Sequence, residues 1–216
     1  MTKRIVIALI AAALVILILA INVTVVPINS GSTVGNVDVN SENFDPQAYI
    51  DSIFQTEAVP VLKDKAIDIN EVMTAANGDL KSVGEKYGVR ADSGNAYNFL
   101  VKGTAAVKEV NTSLRAGYAI LTLDGYTGSE TFKMQVGPVF KGTAIRDCMP
   151  MIKFDDFKNQ VVYANLATAI HVNLSANLFK TIDASTLAGK TIEFYGAFTD
   201  NGSTEIVITP FAIEVK

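Results

Sequence analysis

Hydrophobic positions recur at helical spacing in the first half of the chain and at every second position in much of the second half. The helical pattern begins after Asp45-Pro46, an N-cap acceptor followed by a proline at the first helical position. It continues as three apolar stripes, with Pro60 expected to kink or divide the first and Gly88 to end the last. The pattern predicts a helical segment over residues 44–90 that packs on a larger domain.

Alternating apolar positions from Asn98 onward predict five strands. The first begins at Asn98, and the others lie at Tyr118–Leu123, Phe132–Val136, Thr191–Phe198 and Glu205–Val215. Between the third and fourth, a long apolar-striped stretch predicts a helix from about Asp156 to Ile182, with Asp155 and Asp156 at its amino end and a break near Asn173.

Three strands, a helix and a two-stranded hairpin are the order of the OB-fold, a five-stranded Greek-key barrel. Gly103 and Gly196 lie inside strands at points where such a barrel must bend. The sequence therefore predicts an α+β fold in which residues 97–216 form a five-stranded OB-fold-like antiparallel β-barrel with a long helix between strands 3 and 4. A plain antiparallel sandwich is the alternative fold.

The amino terminus has the pattern of a membrane segment. Lys3 and Arg4 precede an unbroken apolar run from Ile5 to Ile21, which continues more loosely to Val26. Positive charge on the amino side predicts a single-pass helix, residues 1–26, that anchors the chain in the cytoplasmic membrane through residues 5–26 with the rest extracytoplasmic. A cleaved signal sequence is the alternative. Residues 27–43, rich in Asn, Ser, Gly and Thr, are expected to form a linker.

Charge and motif content exclude several functions. The net charge is −4, and without Lys3 and Arg4 the rest carries −6, which disfavours nucleic acid as a partner. Cys148 is the only cysteine, so no disulfide forms within one chain. His171 is the only histidine, and no residues at ligand spacing accompany it, so no metal site is expected. No phosphate loop, nucleophile elbow or dinucleotide fingerprint is present, and no cofactor is expected.

The stretch from Val136 to Tyr163 has the densest cluster of candidate functional side chains. On a strand, Arg146 and Asp147 would point to opposite faces, so we expect Arg146 to pair with Asp155 or Asp156 instead. These polar residues could pin a loop or contact a ligand, and both interpretations stay open. The candidates for ligand or partner contact are Thr143, Arg146, Asp147, Asp156, Asn159, Gln160 and Tyr163.

The same stretch resembles a known bacterial family. The matching residues are Gly137-Pro138-Val139, Gly142-Thr143-Ala144-Ile145-Arg146-Asp147, Ile152-x-Phe154-x-x-Phe157-x-Asn159-Gln160 and Tyr163-Ala164. With weaker matches elsewhere, the resemblance spans about residues 44–200 and is to predicted periplasmic lipoproteins of unknown function. Members are often encoded near sugar ABC-transporter genes, so the resemblance implies an envelope protein or a sugar transporter component as partner. It implies no catalytic residues, and this chain lacks an amino-terminal cysteine for a lipid anchor.

The first hypothesis is therefore a membrane-anchored extracytoplasmic binding or accessory protein without enzymatic activity. OB barrels bind on their second and third strands and the adjoining loops, here Tyr118–Leu123 and Phe132–Val136. The alternatives are a structural envelope scaffold, or an enzyme that acts on a small polar substrate through Arg146, Asp147 and Asp156.

Overall fold

The structure is a computed structural model that describes residues 33–34, 37–90, 95–180 and 182–216. Its helices are α1 (Pro46–Ile53), α2 (Val59–Lys65), α3 (Ile69–Ala76), α4 (Leu80–Tyr87), α5 (Ala144–Cys148) and α6 (Gln160–Asn177). Its strands are β1 (Thr33–Val34), β2 (Val37–Asp38), β3 (Ile67–Asp68), β4 (Gly88–Val89), β5 (Asn98–Asn111), β6 (Tyr118–Leu123), β7 (Thr131–Gln135), β8 (Thr191–Thr199) and β9 (Glu205–Val215).

Five strands close into a barrel. The long strand β5 pairs antiparallel with β6 and with β8, β6 pairs with β7, and β8 pairs with β9. A parallel pairing of β7 with β9 completes the ring. The predicted OB-fold-like barrel and its strand order are therefore confirmed, with one parallel pairing among antiparallel ones.

Two glycines allow the barrel strands to approach neighbouring elements closely. A Cβ on Gly103 would lie 2.8 Å from Cγ2 of Ile69, the first residue of α3. A Cβ on Gly196 would lie 2.5 Å from Cγ2 of Ile208, beside an irregularity in the β8–β9 register. Both glycines were expected at bends, and the structure adds that a side chain at either position would collide with its neighbour.

Apolar side chains form two cores, one inside the barrel and one outside it. Helix α3 packs on the barrel interior, where Ile69 joins Phe99 and Phe194. Helices α1 and α6 pack together in the second core, with Leu100 and Phe211 of the barrel wall. The helical segment of residues 44–90 thus contributes to both cores, and the long helix lies against the outside of the barrel.

The helix before β8 differs from the prediction. Helix α6 begins at Gln160, because the Asn159 side chain caps it by accepting a hydrogen bond from the Val161 N–H at 2.9 Å. Asp155 and Asp156 instead belong to a single 3₁₀ turn, Phe154–Asp156. The predicted break near Asn173 is wrong, since the helix continues to Asn177 and the Asn173 amide donates to Asp51 of α1 at 2.8 Å.

The helix boundaries before the barrel follow the sequence signals. The Asp45 carboxylate accepts from two amide groups at the start of α1, and Asn77 ends α3 in the left-handed conformation. Between α1 and α2 the chain forms a π-helical stretch, Phe54–Ala58, that immediately precedes α2, whose second residue is Pro60. A proline there is therefore accommodated next to an irregular helical turn, as expected.

The last residues of the predicted linker, which the structure describes, contact the folded domain. Val39 is buried in the outer core, and the Asn40 side chain bonds to the backbone of Asp156 and Lys158 at 3.0 and 2.8 Å. The predicted membrane segment, residues 5–26, lies outside the described residues. Within residues 37–90, 95–180 and 182–216, no helix combines the length and the apolar content needed to cross a membrane.

Candidate functional site

Arg146 and Asp147 pair with each other, which corrects the sequence-based expectation. They lie on the short helix α5, where the Asp147 carboxylate can fold back to reach the preceding guanidinium. Arg146 Nε and Nη2 donate to Asp147 Oδ1 at 2.9 and 2.6 Å. The prediction that they point apart assumed a strand, and among the described residues Arg146 forms its ion pair with Asp147 rather than with Asp155 or Asp156.

The Asp147 carboxylate accepts two further hydrogen bonds from hydroxyl groups. Thr143 Oγ1 donates to Oδ2 at 2.6 Å, and the Tyr163 hydroxyl donates to Oδ1 at 3.1 Å. The side chains of Arg146 and Asp147 are only 10% and 14% exposed. Buried charges need such partners, because an unpaired one loses its hydration without compensation. Four of the predicted residues thus form one hydrogen-bonded network.

Tyr163 is the residue that joins this network to helix α6. Its backbone carbonyl accepts from Arg146 Nη1 at 3.2 Å, and the guanidinium lies 3.8 Å from its ring centroid. Phe154 and Phe157 contact the same ring, with centroids at 5.2 and 5.5 Å. Burial is the main cause of the raised pKa of Tyr163, and the nearby Asp147 charge adds to it. The hydroxyl therefore stays protonated and donates at neutral pH.

The other three predicted residues lie away from the network. Asn159 caps helix α6, and Gln160 is exposed at the first position of that helix. Asp156 is half-buried, and its backbone carbonyl accepts from the Asn40 side chain. These residues were grouped by their closeness in sequence, but it is Phe154 and Asp155 of the 3₁₀ turn that share a cleft with the Arg146–Asp147 pair.

A cleft of about 640 Å³ opens beside the network. Thr143, Arg146, Asp147 and Tyr163 form one side of it, and Asn98 and Thr199 belong to the barrel side. Asn98 and Thr199 are opposite each other in the β5–β8 register, and Thr199 Oγ1 donates to Asn98 Oδ1 at 2.6 Å. Phe154, which is 41% exposed, and Asp155 lie at the rim.

Sequence reasoning missed Asn98, Thr199 and Phe154. Asn98 is only 5% exposed, which is unusual for an asparagine and is explained by its bond to Thr199. The sequence signal that could have identified Asn98 was its position at the start of strand β5, directly after a loop. Nothing local in the sequence links it to Thr199, about a hundred residues away.

Other candidate groups are inert or isolated. Burial raises the pKa of the Cys148 thiol to about 12, so the thiol is protonated at neutral pH. Burial lowers the pKa of His171, which stacks near Phe140 with centroids 6.2 Å apart. Among the residues that the structure describes, no three His, Cys, Asp or Glu side chains are grouped to hold a metal ion.

Comparisons with known proteins agree with the fold. A family model described as "predicted periplasmic lipoprotein (DUF2291)" matches residues 13–214. A crystal structure of an OB-fold protein from Thermotoga maritima superposes with a TM-score of 0.62 at 15% identity, covering 81% of this chain and 100% of that one. At that identity the likeness establishes the OB fold alone. No curated protein matches the sequence.

Proposed function

Because the chain belongs to the family of predicted periplasmic lipoproteins, whose model covers most of it, we propose that it is an extracytoplasmic, membrane-associated binding protein without enzymatic activity. Its ligand is a small polyhydroxylated molecule held in the cleft beside Arg146 and Asp147. The observation that carries this proposal is the cleft itself, about 640 Å³ in volume and walled by polar groups with an aromatic ring at its rim. Sites for small molecules commonly enclose about 300–1,000 Å³.

The walls offer the groups that a polyol needs. Asn98, Thr143 and Thr199 provide amide and hydroxyl groups, and Asp155 provides carboxylate oxygens. Hydroxyl groups of a ligand both donate and accept hydrogen bonds, so a mixed lining suits them better than a lining of one charge. The exposed part of Phe154 can cover the apolar face of a sugar ring.

The network beside the cleft supports binding because it is already held in place. Arg146 is fixed by two bonds to Asp147 and one to the Tyr163 carbonyl. Because these side chains are already ordered before the ligand arrives, binding does not lose the conformational entropy of ordering them. Rigid support of this kind is what a selective site requires.

The same contacts favour binding over catalysis. Asp147 accepts four hydrogen bonds from Arg146, Thr143 and Tyr163, three at Oδ1 and one at Oδ2, which leaves little acceptor capacity for the role of a general base. The adjacent Cys148 thiol, with its pKa near 12, is not ionised at neutral pH and is a poor nucleophile. These side chains therefore serve the architecture of the cleft.

For the cellular location, we propose that residues 5–26 form a single-pass membrane helix. We propose an envelope protein or a sugar transporter component as the partner. An alkaline-phosphatase fusion after Gly35 should be active, and the protein should stay with membranes after carbonate washing. Crosslinking in intact membranes, with and without sugars, should capture the partner. A soluble mature protein that begins near residue 22–30 would instead support a cleaved signal sequence.

Calorimetric titration of the full-length protein in detergent micelles tests the ligand proposal. We expect at least one of glucose, ribose and myo-inositol to bind, and Phe154→Ala and Asp155→Asn each to weaken it about tenfold or more. Leu114→Ala and Asp64→Asn change an exposed leucine and an exposed aspartate outside the cleft, so they should bind as wild type does. No binding of any of the three at about 10 mM would refute the ligand proposal, and conversion of a bound sugar, followed by NMR, would refute the absence of enzymatic activity.

A further inference from the structure

A second concave surface lies on the outer wall of the barrel and adjoins the cleft beside Arg146 at Thr199, which lines both. This wall groove, about 370 Å³, lies across β6, β7 and β9. Its lining includes Tyr118, Lys133, Gln135, Lys141, Val207 and Thr209. Tyr118 and Lys133 come from the strands on which OB barrels are expected to bind, but most of the predicted candidate residues lie elsewhere.

The orientation of the Gln135 side-chain amide is fixed by the backbone N–H and C=O groups of Lys141. Gln135 Oε1 accepts from the Lys141 N–H at 2.7 Å, and its Nε2 donates to the Lys141 carbonyl at 2.9 Å. Reversing the amide would place donor against donor and acceptor against acceptor. Because Gln135 is only 8% exposed, such a loss would not be made up by water.

This orientation leaves the hydroxyl hydrogen of Thr209 unused. Gln135 Nε2 also donates to Thr209 Oγ1, at 2.6 Å, so Oγ1 is an acceptor in that contact. A hydroxyl group has one hydrogen of its own to donate. Among the described residues, none accepts a hydrogen bond from the Thr209 hydroxyl, although the residue is only 5% exposed. A buried donor on the lining of a groove is available to an acceptor that enters it.

Positive charge accompanies this donor. Lys141 contributes an exposed ammonium group to the groove beside the backbone unit that holds Gln135. Lys133 lies over the Tyr118 ring at 4.8 Å and pairs with Glu205 at 2.6 Å, whereas Lys141 has no acidic partner among the described residues that line the groove. The lining therefore combines one uncompensated cation with a buried hydroxyl donor.

We propose that the wall groove binds the carboxylate of a small organic acid. Thr209 Oγ donates to a carboxylate oxygen, Lys141 supplies the opposite charge, and Val207 and the Tyr118 ring contact the carbon body. Hydrogen bonds to an ionised acceptor are shorter and stronger than those to a neutral one, so a carboxylate fits this pair better than an uncharged hydroxyl group. The groove has room for an acid of about the size of a hexuronate.

Titration of the full-length protein in detergent micelles with sodium D-glucuronate tests the proposal, with glucose as the neutral counterpart and sodium chloride as the ionic-strength control. We expect glucuronate to bind and to shift the NMR signals of the Gln135 side-chain amide. Lys141→Gln and Thr209→Val should each weaken binding about tenfold or more, whereas Thr209→Ser, which keeps the hydroxyl group, should retain most of it.

Three controls separate this site from the other cleft and from unfolding. Lys108→Gln removes an exposed lysine outside the groove and should bind as wild type does. Phe154→Ala changes the cleft beside Arg146 and should leave the glucuronate-induced shift of the Gln135 amide signals unchanged. Thermal unfolding of Lys141→Gln should match wild type, because the side chain is exposed and the bonds of Lys141 to Gln135 come from its backbone, which the substitution keeps. If glucuronate at about 10 mM does not shift the Gln135 amide signals, or if glucose shifts them equally, the proposal is overturned, whatever binds in the cleft beside Arg146.

Discussion

Replacing Arg146 by alanine is the most direct test of the network that borders the cleft. The change removes two hydrogen bonds to Asp147, one to the Tyr163 carbonyl, and the contact of the guanidinium with the Tyr163 ring. It leaves the Asp147 carboxylate, only 14% exposed, without its opposite charge. The perturbation is thus the loss of one partner from a mostly buried ion pair.

The expected loss of unfolding free energy depends on how deeply the ion pair is buried and on which hydrogen bonds Asp147 keeps. Breaking a buried ion pair by removing one partner costs about 3–5 kcal/mol, against about 0–1 kcal/mol for an exposed pair. Asp147 keeps its bonds to Thr143 and Tyr163, which places the expected loss near the lower end, at about 3–4 kcal/mol. That is a large part of a typical unfolding free energy of about 5–15 kcal/mol.

Urea unfolding, followed by far-ultraviolet circular dichroism at pH 7, measures this loss. Arg115→Ala is the matched control, because Arg115 is exposed and should change stability by less than about 0.5 kcal/mol. Replacing both partners, as in Arg146→Met with Asp147→Leu, should cost less than the two single losses combined, since no unpaired charge remains.

One outcome would refute the reasoning. If Arg146→Ala unfolds at the same urea concentration as wild type but no longer binds its sugar, Arg146 contributes to ligand contact rather than to the fold. The loop from Gly137 to Asp156 would then be the binding element itself, and the stability assigned to the network would be wrong.

Three further predictions concern stability and reactivity. Gly137→Ala should cost about 2 kcal/mol or more, measured by thermal unfolding, because a Cβ there would lie 2.2 Å from the backbone nitrogen of Gly117, which has no flexible side chain to move aside. The Cys148 thiol, buried and with its pKa raised to about 12, should resist alkylation at pH 8 in the native protein and react readily in denaturant; equal rates would contradict its burial. Burial lowers the pKa of His171, so the unfolded state binds its proton first as pH falls below about 6.5. The free energy of unfolding should therefore decline between pH 7 and pH 5 more steeply in wild type than in His171→Gln, and parallel curves would show that His171 is uninvolved.

Strand order and most helix ends could be predicted because they depend on local patterns. The alternation from Asn98 onward and the capping residues Asp45 and Asn77 act within a few positions of the chain. The start of α6 was harder, because Asp155, Asp156 and Asn159 are all acceptable caps and only packing selects the last.

The candidate site was predicted in part, for a physical reason. Helix α5 is only five residues long and has no repeating pattern, so the sequence favoured an extended conformation that separates Arg146 from Asp147. Thr143 and Tyr163 were identified as polar residues near the pair, but the bonds that join them depend on that short helix. Thr199 reaches the cleft only through barrel pairing with Asn98, which no local signal encodes.

The pairing of β5 with β8 has a consequence for the order in which the chain can fold. Ala106 meets Thr191 and Asn98 meets Thr199, so one edge of β5 has no partner until the chain has been synthesised through residue 199. Helix α1 likewise waits for α6, against which it packs. Contacts between such distant segments make folding slow, because the loop between them must close first. A chain that emerges from its amino end would therefore present an unpaired strand edge while about 80 residues, from Asn111 to Thr191, are added, and a fragment that stops before Thr191 would lack the partner that closes the barrel.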